Sequence, residues 1–100
     1  MNAEASGPFE VYVTWIRVPQ EEMNGLALGY RINAFTNGSY VSNETAPFDY
    51  SGWSFTKSLE PSTSYVFEVC AFNSAGDGPC DKASARTLDS GKVFCLFFQR

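Results

Sequence analysis

Residues 59–78 read Leu59-Glu60-Pro61-Ser62-Thr63-Ser64-Tyr65-Val66-Phe67-Glu68-Val69-Cys70-Ala71-Phe72-Asn73-Ser74-Ala75-Gly76-Asp77-Gly78. From Tyr65 to Asn73 the side chains alternate with period two. Tyr65, Phe67, Val69 and Ala71 point one way, and Val66, Glu68, Cys70 and Phe72 point the other. That period belongs to a strand with one face in a core. The strand follows a turn at Glu60-Pro61-Ser62-Thr63 and runs into a Gly-rich loop, Ser74 to Pro79.

The same grammar extends in both directions. Cys80 to Thr87 reads as a last strand, with Ala83 and Ala85 inward and Lys82, Ser84 and Arg86 outward. Toward the N-terminus, residues 53–57 form a strand and residues 40–44 a short edge strand broken by Thr45-Ala46-Pro47. A turn at Thr36-Asn37-Gly38-Ser39 precedes it. Leu28 to Phe35 places Tyr30, Ile32 and Ala34 on one face. Pro19 to Gly25 is turn chemistry ending in Asn24-Gly25. Phe9 to Ile16 sets Val11, Val13 and Trp15 inward. No stretch has the period of an amphipathic helix. Many short strands separated by turns predict an all-β antiparallel sandwich or barrel.

Composition narrows the function. One hundred residues make one domain, and 44% hydrophobic with 16% aromatic residues supply one core. Seven Lys and Arg, scattered, against 11 Asp and Glu give a net charge of −4, which excludes nucleic acid as a partner. The longest apolar run, Val93 to Phe98, falls far short of the ~20 residues of a membrane helix, so direct membrane insertion by this domain is not expected. Residues Met1 to Pro8 have neither the basic nor the apolar region of a signal peptide. Histidine is absent, which removes the usual general base and the commonest zinc ligand. Three cysteines, at positions 70, 80 and 95, match no zinc-ribbon spacing. Gly76-x-Gly78 lacks the third glycine and the helix that phosphate binding needs, and no carboxylate pair is set for glycoside chemistry. The chain is therefore expected to be no enzyme and to carry no cofactor and no metal.

With these positions fixed, the chain resembles the fibronectin type III family. Residues 59–78 match its pattern L-x-P-x-T-x-Y-x-hydrophobic-x-V-x-A-x-N-x-x-G-x-G. Trp15 matches the indole of the family's second strand, followed by Pro19, Asn24-Gly25 and Tyr30 with Ile32, and Thr87 closes the last strand. The resemblance covers about residues 7–88. It implies an immunoglobulin-like antiparallel β-sandwich of about seven strands. It implies a corner in which the Tyr65 hydroxyl bonds backbone a few residues upstream, with Leu59 beside it. Gly76 and Gly78 are expected to give the last loop its positive φ. The function implied is non-catalytic protein–protein interaction in an extracellular or cell-surface protein of the adhesion or receptor kind. Its partners would be another protein and the neighbouring modules of the same chain. A passive spacer, or an accessory module of a secreted enzyme, are the alternatives.

Two departures stand out. Only fourteen residues precede Trp15, so residues 1–6 read as an N-terminal extension and the first strand as short or absent, which would leave the second strand an exposed edge. Residues 89–100 lie beyond the family's end. That tail is compatible with an unstructured or alternative terminus, the start of a following module, or a segment that folds back where a full first strand would lie.

Several residues are candidates for more than packing. Cys70 and Cys80 share an outward parity and fall opposite each other if the chain turns near Ala75, at a spacing suited to a cross-strand disulfide or to two half-buried thiols. Asn37-Gly38-Ser39 and Asn43-Glu44-Thr45 are N-glycosylation sequons. Phe35, Val66 and Phe72 form an outward apolar stripe, either a protein-contact patch or a surface covered by neighbours or a glycan. Glu21 and Glu22, with Asp77 in the last loop, lie at the end of the sandwich that binds ligands in related folds, or are simply solvated.

Overall fold

A computed structural model describes residues 1–19 and 26–89. Seven strands are found among them: β1 (Asn2–Gly7), β2 (Glu10–Thr14), β3 (Gly29–Thr36), β4 (Ser39–Pro47), β5 (Gly52–Phe55), β6 (Ser64–Asn73) and β7 (Gly76–Arg86). They make two antiparallel sheets, one ordered β1-β2-β5 and the other β4-β3-β6-β7. No helix among the described residues is long and apolar enough to cross a membrane.

The alternation seen in the sequence builds the core. Val11 and Val13 of β2 and Phe55 of β5 face Tyr30, Ile32 and Ala34 of β3 and Phe67, Val69 and Ala71 of β6, all buried. Aromatic rings carry the contact. Trp15 tilts against Tyr30 at 5.1 Å between centroids, Tyr30 stacks on Phe48 at 5.2 Å, and Phe55 meets Phe67 edge-on at 5.3 Å. These offset and tilted geometries match the ring quadrupoles.

The corner before β6 has the expected form. Glu60 N–H donates to the Tyr65 hydroxyl at 2.9 Å, and Leu59 is buried beside it. Thr87, only 2% exposed, locks the same corner. Its hydroxyl accepts from Thr63 N–H at 2.9 Å and donates to the Glu60 carbonyl at 2.5 Å. Tyr65→Phe removes the acceptor of a part-buried amide while keeping the ring. It is expected to cost about 1–2 kcal/mol, read as a lower denaturation midpoint at unchanged slope.

Several expectations are corrected. Residues 2–6 are not an extension but most of β1, which pairs with β2 from Asn2↔Thr14 to Gly7↔Glu10, so β2 is the central strand of its sheet and not an exposed edge. The signal was weak because Ala3 and Ala5 face inward with little apolar bulk, and alanine is a weak strand former. Strand β4 does not break at Thr45 but runs to Pro47, with Ala46 buried. An edge strand tolerates proline because one side of its ladder needs no donor. Strand β5 stops at Phe55, short of Lys57. The supposed Gly-rich loop after β6 is a tight hairpin: Asn73 pairs with Gly76, and β7 begins there, with Gly76 at φ 131°.

The ends of the sandwich are also fixed. Leu88 N–H donates to the Gly7 carbonyl at 3.2 Å, so β7 finishes beside the finish of β1. Since β1 is six residues long, its start lies ~20 Å away, at the opposite end. Apart from Asp89, the tail with its apolar run Val93 to Phe98 lies outside the described residues.

Candidate functional site

The outer face of the β4-β3-β6-β7 sheet gathers most of the residues singled out by the sequence. Register places them in rows. Tyr40, Phe35, Val66 and Ser84 lie side by side, then Asn43, Asn33, Glu68 and Lys82, then Thr45, Arg31, Cys70 and Cys80. At the far end Phe72 lies beside Gly29 and Asp77.

The expected Phe35–Val66–Phe72 stripe is therefore two separate patches. Phe35 and Val66 are direct cross-strand partners at one end, where Tyr40 adds its ring to Phe35 at 6.0 Å between centroids. Phe72 is six residues further along β6, at the other end. Between them lie Asn33 and Glu68, with the Asn33 amide 3.5 Å from the Glu68 carboxylate. A stripe with period two needs apolar residues at every second position, and Glu68 and Cys70 interrupt this one.

The Phe72 end is organised by charge. The Arg31 guanidinium lies 4.6 Å over the Phe72 ring and pairs with the Asp77 carboxylate. Asp77, exposed at the start of β7, is thus an ion-pair partner as well as a solvated acid. The ring lies close to the backbone of β3. A Cβ on Gly29 would sit 2.6 Å from the Ala46 carbonyl oxygen and 3.3 Å from Phe72, so only glycine fits there. Nothing in the spacing of the sequence announced this set, because Arg31 and Asp77 are 46 positions apart. Glu21 and Glu22 lie outside the described residues.

Cys70 and Cys80 face each other in register across β6 and β7 and are joined as a disulfide, with Cα atoms 4.1 Å apart. Cys70 is 1% exposed even though it faces outward. Glu68 lies close enough to bring its carboxylate and both sulfurs within 4.8 Å of one another. With the two sulfurs bonded to each other, neither is a thiolate, so this cluster offers a metal one carboxylate only.

The two sequons differ. Asn37 and Gly38 occupy the turn between β3 and β4 with φ of 52° and 78°, both left-handed, and both residues are exposed. Left-handed φ at both central positions is the hairpin turn that Asn-Gly favours. Asn43 is half-buried within β4 and donates to the Tyr40 hydroxyl. Its neighbour Glu44 was not singled out by sequence, yet its carboxylate accepts from Trp53 Nε1 at 2.8 Å, Thr56 N–H at 2.9 Å and Lys57 N–H at 3.1 Å. With the Ser42 hydroxyl on the Lys57 carbonyl at 2.8 Å, it ties β4 to the end of β5 and closes that side of the sandwich. Trp53 is thereby placed on β5, capping the core edge.

Two sheets of three and four antiparallel strands, with an indole and a tyrosine corner in the core, define an immunoglobulin-like β-sandwich module. No family model matches the chain. The solved third fibronectin III domain of human KIAA0343 protein superposes with a TM-score of 0.76 at 21% identity, over 88% of this chain and 78% of that one. The neural cell adhesion molecule L1-like protein of Mus musculus is 34% identical over 77 residues, which is 69% of this chain and 6% of that protein. The MAM and fibronectin type III domain-containing protein 1 of Acropora millepora is 38% identical over 72 residues, covering 69% of this chain and 17% of its own length. The phosphatidylinositol phosphatase PTPRQ of Rattus norvegicus is 41% identical over 70 residues, 70% of this chain and 3% of that protein. The chain has the fold of the fibronectin type III domains, and its sequence is similar to part of a fibronectin type III domain-containing protein. It spans only a small part of these curated relatives.

Proposed function

We propose that the chain is a non-catalytic protein-recognition module of an extracellular or cell-surface protein of the adhesion or receptor kind. Its partners are another protein and the modules beside it in the same chain. The observation that carries this reading is the Phe72–Arg31–Asp77 set. It combines a half-buried aromatic ring, a guanidinium over its face and a carboxylate, at the hairpin end of an open sheet face. Aromatic and arginine side chains are the residue types that anchor protein interfaces. Likeness to a protein named as a neural cell adhesion molecule supports the setting.

Phe72→Ser is the test. Cell adhesion to a surface coated with the variant is expected to fall at least about tenfold in apparent affinity, while the protein remains folded. Undiminished adhesion would sink this assignment of the face. A spacer role has its own support, since β1 begins and β7 ends at opposite ends of the sandwich. Under that reading Phe72→Ser changes nothing, and lengthening the chain between its neighbours does. The accessory role beside a catalytic domain draws only on the phosphatase relative.

A further inference from the structure

We infer that Asn37 carries an N-linked glycan whose first sugar lies on the Phe35 ring, so that the Phe35–Val66 patch is covered by the chain's own carbohydrate and not by a partner protein. This concerns the end of the sheet face away from Phe72 and stands independently of the recognition surface proposed there.

Three observations meet at one place. The sequon Asn37-Gly38-Ser39 sits on an exposed hairpin turn. Gly38 of that turn, with Phe35, Val66, Glu68 and Lys82, lines a surface hollow of about 350 Å³, at the small end of the range for ligand sites. The hollow is amphipathic. One side is apolar, Phe35 and Val66 paired across the strands, with Tyr40 held against Phe35. The other side is the Glu68 carboxylate and the Lys82 ammonium, an acceptor and a donor. A pyranose ring has the matching character, with a C–H face for an aromatic ring and hydroxyl and acetamido groups for polar neighbours.

At this end of the face an apolar patch, with Val66 40% and Tyr40 56% exposed, is set apart from Phe72 by the polar row of Asn43, Asn33, Glu68 and Lys82 and is otherwise unexplained. Phe35 stands two residues before the acceptor asparagine and Tyr40 three after it, so the turn itself delivers the sugar to the rings. In the transfer step, Asn37 Nδ2 bonds to the anomeric carbon of an oligosaccharide carried on a lipid pyrophosphate. The bond from that carbon to the pyrophosphate oxygen breaks, the lipid pyrophosphate leaves with the bonding pair, and Nδ2 gives up one proton to a base.

The experiment uses the whole chain secreted from mammalian cells. Enzymatic deglycosylation in ¹⁸O water with peptide mass mapping is expected to mark Asn37. Ser39→Ala abolishes the sequon while leaving Asn37 in its turn. Comparing glycosylated protein with this variant, the glycan is expected to raise the folding equilibrium constant about fivefold. In the Phe35→Leu background, which keeps apolar volume but loses the ring face, that gain is expected to vanish. A second readout does not depend on any variant folding: in the glycosylated wild type, protons of the first sugar are expected to show aromatic ring-current shifts and nuclear Overhauser contacts to Phe35. Unmodified Asn37, an equal gain in both backgrounds, or a first sugar without contact to Phe35 each overturns the inference.

Discussion

Phe67→Ala is expected to cost about 3–5 kcal/mol, the range found when a buried aromatic ring is cut to a methyl group. Phe67 is fully buried on β6 and touches both sheets, meeting Phe55 of β5 edge-on at 5.3 Å and Tyr65 of its own strand at 6.1 Å. Its removal leaves a cavity where the two sheets join, and small alanines on either side, Ala34 and Ala83, cannot fill it. Domains of this size have only about 5–15 kcal/mol in hand. Chemical denaturation followed by Trp fluorescence should show a large fall in midpoint, and the variant should be partly unfolded at 37 °C. A loss below about 1 kcal/mol would mean that the ring does not bridge the sheets.

Reduction of the Cys70–Cys80 disulfide is expected to remove about 2–3 kcal/mol, from the chain-entropy estimate for closing a short loop, here ten positions apart. The double variant Cys70→Ala, Cys80→Ala should behave like the reduced protein. It leaves both strands in place, because β6 and β7 also pair along most of their length. Thiol titration in denaturant gives a direct check. One thiol, that of Cys95, is expected before reduction and three after it. Three before reduction would exclude the bridge.

The reading from sequence succeeded where side chains alternate strongly. Val11, Val13, Tyr30, Ile32, Phe67 and Val69 sit in the core as their parity requires, and Tyr65 makes its corner. It failed where the inward residues are small, at Ala3 and Ala5 of β1, since an alanine face looks like no face at all. It also failed where a residue acts through a distant partner. Glu44 reads as the middle of a sequon, but its weight lies in three donors from 53 to 57. Asp77 reads as a loop acid until Arg31 arrives from another strand. Outward positions have no apolar code to announce them, so the candidate face was recognised in its members and missed in its division into two patches.

The diagonal placement of the start of β1 and the close of β7 has a mechanical meaning. Tension passed along a string of modules would enter at one pole and leave at the other, parallel to the strands. Ladder bonds would then be sheared together instead of being peeled one by one. The sulfur link closes the β6–β7 hairpin between Cys70 and Cys80, so those residues could not be drawn out even after the ladders on either side had yielded.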